Sequence, residues 1–139
     1  MIIRLFLIFS LIFASNVFAN EEEGGGEKGG GSDPDKVVFV EIRPAFLTNL
    51  ATDYPRYLKT DISIRAKGSK TVEAIGRHEP LIKNAILMLL AQQDGNVIAT
   101  VKGKEDLRLK AKEEVIHALE SEHEAHDVIE VLFVSFMME

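Results

Sequence analysis

Histidine and carboxylate spacing is where chemistry could begin in this chain. His123 and His126 stand three residues apart in SEHEAHD, with Glu120, Glu122, Glu124 and Asp127 close by. On one helical turn that spacing offers two imidazoles and a carboxylate, a set that transition metals accept. The same segment also reads as a polar helix end or loop, and it lacks the apolar neighbours that fix a metal site. No metal is therefore expected, and His123 and His126 are the candidates should one bind. His78 and His117 each lie alone in helical pattern and read as surface or boundary residues.

Other reactive groups are fewer. The chain has no cysteine, which removes disulfides, thiolate metal sites, cysteine nucleophiles and iron–sulfur ligation together. Ser135 lies in an apolar run with no histidine in a usable register, and no G-x-S-x-G is present. No pair of carboxylates sits in an apolar setting that would drive their pKa values apart. Asn49, Arg56 and Tyr57 could gather as a polar cluster around a turn; a turn cap plus an edge aromatic describes them better. Two GGG runs lack both a preceding strand and a following Lys-Ser/Thr, so they are not a phosphate loop. No catalytic residue and no cofactor site are expected.

The elements that would position these groups fall into three stretches. The 139 residues suit one domain with a short appendage. Sixteen basic against 22 acidic residues give a net charge of −6, which argues against nucleic acid as a partner. Residues 1–19 carry Arg4, an apolar run from Leu5 to Ala14, and Val17 and Ala19 before Asn20, the pattern of a cleavable signal peptide. The competing reading is a membrane anchor, which needs about 20 apolar residues; Ser15 and Asn16 interrupt the run. Cleavage would remove Arg4 and no acid, leaving 15 basic and 22 acidic residues, or −7. Residues 20–36, with six glycines and many acids, read as a flexible tether.

Residues 37–139 make the domain. Val37–Ile42 is β-branched and stops at Pro44, a strand with a bend; Phe46–Leu50 is a second extended piece. Thr52, Asp53 and Pro55 mark a turn. From Arg56 the period is two, with Leu58, Thr60, Ile62, Ile64 and Ala66 on one face. From Thr71 it becomes helical through Val72, Ile75, Ile82, Ile86 and Leu89, with Ala85, Met88 and Leu90 widening the stripe. Pro80 within it predicts a kink or a fresh helix start. Val97–Val101 is a short strand or an apolar turn. Lys104–Leu119 predicts a second helix with Leu107, Ala111, Val115, Ala118 and Leu119 inward and a mixed-charge outer surface. Val128–Met138 reads as a final, mostly buried strand. The fold class is α+β: a small antiparallel-type sheet with two helices packed on one face.

These segments also carry a resemblance. Pro44, Phe46, Asn49 and Leu50, then Arg56, Tyr57 and Leu58, resemble the "PF-x-x-NL … RYLK" opening of the flagellar basal-body FliL family. The segment from Pro80 to Leu90 is similar to that family's Pro-led "IRDAI-x-x-LL" helix. The segment KGKEDLR, with Gly103 and Leu107, resembles "EGKE-x-LR". VIEVLFVSF, with Phe133 and Phe136, resembles the closing "V-x-VYFT-x-F". The resemblance spans about residues 37–139. It implies a stomatin-like (SPFH-like) periplasmic domain, non-enzymatic and without a cofactor. It further implies a homo-oligomer that works beside stator or basal-body proteins at the inner membrane and supports motility through protein contacts. The family carries a longer N-terminal transmembrane helix, so residues 1–19 depart from its pattern; an uncleaved N-terminus would supply membrane association. A reading from a different class is a periplasmic binding module, metal-dependent through His123 and His126.

Overall fold

A computed structural model describes residues 33–53 and 55–139. The expected signal or anchor and most of the tether lie outside the described residues. Of the tether, Asp35 is seen pairing with Lys67 at 2.8 Å, and Lys36 accepts a hydrogen bond from the Gly68 amide at 2.9 Å.

The chain order is β1 (Val37–Asn49), β2 (Tyr57–Lys67), α1 (Ser69–Arg77), α2 (Glu79–Ala91), α3 (Gly95–Ile98), α4 (Val101–Ser121) and β3 (Val128–Met138). The strands form one antiparallel sheet in the order β1-β2-β3, so β2 is central and both neighbours are edges. The α+β class and the small antiparallel sheet are as the sequence predicts.

The bend at Pro44 is a register shift between Ile42 and Phe46. The two extended pieces therefore belong to a single strand, because β1 resumes pairing with β2 beyond the bulge. Period two in β2 reflects a sheet covered on one side only. Leu58, Thr60, Ile62, Ile64 and Ala66 are all buried beneath the helices, while Tyr57, Lys59 and Asp61 face out. Each large apolar side chain buried in this way contributes about 1.5–3 kcal/mol.

Four helices stand where two helical stretches were expected. The first stretch divides at His78, and Pro80 enters the first turn of α2, where a missing N–H costs nothing. Ile75, Ile82, Ile86 and Leu90 are buried; Met88 is exposed, so the inward stripe is narrower than the sequence pattern drew it. Val97–Val101 is neither strand nor plain turn. Asp94 caps a single turn there by accepting from the Asn96 amide at 2.8 Å, giving α3. Helix α4 begins three residues before the expected Lys104, because Thr100 accepts from the Gly103 amide at 3.0 Å. Its inner face is Leu107, Ala111, Val115, Ala118 and Leu119, all buried.

Strand β3 corrects the expectation of a mostly buried element. Only Val128 and Val131 are fully buried, and Val134 and Met137 are exposed. Its mostly apolar run, broken by Glu130 and Ser135, lies at a sheet edge. Among the described residues no helix is long and apolar enough to cross a membrane.

Candidate interaction surface

The two candidate metal ligands stand past the end of α4 rather than on one of its turns. His123 has φ 57, in the left-handed region. Its amide donates to Glu120 O at 2.9 Å, and the Glu124 amide donates to Leu119 O at 3.0 Å. That pair of bonds is the Schellman closure of a helix, which places His123 where a glycine would be most comfortable. His126 is engaged locally: Nδ1 lies 2.9 Å from Glu124 O, and Nε2 lies 3.4 Å from Glu120 Oε1. Among the described residues, no three His, Asp or Glu side chains converge to hold a metal ion.

His78 is less solitary than its sequence position suggests. It sits at the junction of α1 and α2, and its Nε2 is 3.1 Å from Glu124 Oε1. Arg77 donates to the same carboxylate through Nη2 at 2.7 Å and Nε at 3.3 Å. Arg77 first, then His78, holds the Glu124 carboxyl below the usual glutamate range by hydrogen bonding to it. The clamp ties the first helical pair to the connection between α4 and β3.

A second carboxylate makes a wider bridge. Glu130 on β3 accepts from Arg65 of β2 at 2.8 Å and from Arg108 of α4 at 3.1 Å. Arg108 also grips Glu105 at 2.6 Å, which lowers that carboxyl's pKa. Arg65 lies over the Phe39 ring at 5.9 Å, and its buried Nε has no hydrogen-bond partner among the described residues. These polar groups join elements to one another. Neither network was legible in sequence, since each joins residues more than twenty positions apart.

Asn49, Arg56 and Tyr57 do not converge. Asn49 and Tyr57 are ladder partners, whereas Arg56 turns away to Asn96 at 3.4 Å. Tyr57 is exposed at the end of the central strand, not on an edge. Of the other positions in the resemblance, Phe46, Leu50, Leu58 and Leu107 are buried in the core and Pro44 is exposed at the β1 bulge. Phe133 and Phe136 pack edge-to-face at 5.5 Å, with the Lys104 ammonium 5.1 Å from the Phe136 ring. Gly103 is buried against the α3 turn, where a side chain would strike Val97.

The outer face of the sheet carries exposed apolar side chains. Across it run Phe39, Leu47, Tyr57, Val134 and Met137, all exposed, around the polar side chains of β2. Exposed apolar groups gathered in this way characterise contact surfaces. Fold and surface together define a class: an α+β module with one sheet face buried beneath helices and the other bare.

Comparison with known proteins narrows that class. The family model described as flagellar basal body-associated protein FliL matches residues 39–138. The chain is 30% identical over 93 residues to the flagellar protein FliL of Escherichia coli K12, covering 67% of this chain and 60% of that relative. A FliL of Shigella flexneri matches to the same extent. That of Aquifex aeolicus is 26% identical over 78 residues, or 55% of this chain and 48% of the relative. This chain thus spans about 60% of the length of its Escherichia coli relative. It belongs to the FliL family, which is associated with the flagellar basal body.

Proposed function

We propose that this chain is a non-enzymatic accessory subunit of the flagellar motor. It acts in the periplasm beside the inner membrane, contacts stator or basal-body proteins and further copies of itself, and supports motility through those contacts. The observation that carries the reading is the family match, which covers nearly the whole described domain from β1 to β3. The structure lends it support in two ways. The charged clusters around Glu124 and Glu130 are occupied in joining elements of the fold to one another. The bare sheet face offers apolar side chains of the kind that contact surfaces bury.

Deletion of the gene, with swimming and swarming measured in the deletion and complemented strains, tests the reading. Impaired motility restored by complementation is expected. Undiminished motility under load would remove it.

A further inference from the structure

We propose that the row Leu47–Lys59–Met137 is a docking site for a segment of another protein that carries a carboxylate between apolar side chains. This deepens the flagellar reading and rests on it for the existence of a partner. The register places Leu47 of β1, Lys59 of β2 and Met137 of β3 side by side. Adjacent strands lie about 5 Å apart, so the three side chains stand within roughly 10 Å of one another. Period two sends all three, with Tyr57, to the bare face. Leu47 is 66% exposed, Tyr57 51% and Met137 50%. Together with Glu139 they line a depression of about 230 Å³ around Lys59.

Charge decides the chemistry of the occupant. Around this face Arg43 pairs with Glu41, Arg65 with Glu130 and Lys67 with Asp35, while Asp61 accepts from the Ser135 hydroxyl. Lys59 has no ion pair or hydrogen bond from its ammonium among the described residues. Glu139 borders the depression with its backbone bonded to Tyr57 at 2.8 and 3.0 Å, and it too leaves Lys59 unpaired. Covering Leu47, Tyr57 and Met137 with an apolar partner would strip water from the ammonium beside them. A lone charge cannot be buried cheaply, so a partner that delivers a carboxylate to it fits this face best. The surrounding apolar contacts would then shield the pair from water, the arrangement that strengthens an interface anchor.

Site-specific photocross-linking in the native cells tests this. Benzoylphenylalanine is placed at Leu47 or Met137 of the full chain, with exposed Val101 as the control position. The expected products from positions 47 and 137 are cross-links to peptides of another protein with Asp or Glu between apolar residues. Lys59→Glu should lower their yield by at least roughly tenfold, and Lys59→Arg should preserve it. Circular dichroism of both variants checks that the fold persists, as the exposed position of Lys59 requires. Equal yield from Lys59→Glu, cross-links only to a second copy of this chain, or yields no greater than at Val101 would each overturn the site. Those outcomes in a strain that still needs the protein for motility would leave the flagellar reading intact.

Discussion

Gly103 lies so close to Val97 that a Cβ built on it would stand 2.0 Å from the Val97 carbonyl oxygen. That oxygen already accepts from the Thr100 amide at 3.1 Å and hydroxyl at 2.7 Å. Backbone therefore faces backbone where α3 hands over to α4, and the neighbour cannot rotate aside. Gly103→Ala is expected to cost about 3 kcal/mol through overpacking. For a domain of this size the melting temperature should fall by roughly 10–20 °C, measurable by thermal denaturation. A variant melting with the parent would show that α4 can slide away from α3.

His123 gives a prediction of opposite sign. A histidine at φ 57 pays the steric cost of the left-handed region, and a glycine does not. His123→Gly should raise stability by about 1 kcal/mol, read as a higher denaturant midpoint. Zinc should not shift the melting temperature of the parent, since His126 is engaged by Glu124 and Glu120. A saturable zinc-dependent shift, lost in His123→Gly, would return the metal reading to favour.

The Glu124 clamp predicts an acid limb. Because its folded pKa is depressed, the carboxylate stabilises the fold above the unfolded glutamate value of about 4.3. That stability is lost as pH falls from there through the lower folded value. Glu124→Gln should therefore lower the melting temperature near neutrality and leave it nearly unchanged at strongly acid pH. Parallel melting curves for parent and variant at every pH would contradict the clamp.

Glu130 joins three elements through two arginines. Glu130→Gln should cost about 1–2 kcal/mol, more than an isolated surface pair, because both guanidinium groups lose an ionised acceptor at once. A double-mutant cycle with Arg108→Ala should show coupling, measured by urea unfolding. Additive losses would mean that Arg65 and Glu105 supply the whole effect.

Much of this architecture could be read from residue order, and the exceptions share a cause. Strand β2 was legible because helices cover only one of its faces, which stamps a period of two on Leu58 through Ala66, broken only where Ser63 is buried as well. Pro80 marked the start of α2 because proline suits a first turn. The run Val97–Val101 stayed open between strand and turn because its β-branched residues suit strands, whereas the caps at Asp94 and Thr100 decide the local outcome, a single helical turn. Strand β3 misled for a related reason: a mostly apolar run signals burial on both faces, yet here one side is bare, and Glu130 and Ser135 are the polar residues within it. The row around Lys59 depends on the register of three strands, which no single segment encodes.

Motor torque under load tests the central claim most directly. Beads tethered to flagella of a deletion strain, and of the same strain carrying the gene, would be tracked at high viscous load. The account expects reduced torque in the deletion strain, restored by the gene. Equal torque in the two strains across the load range would contradict it.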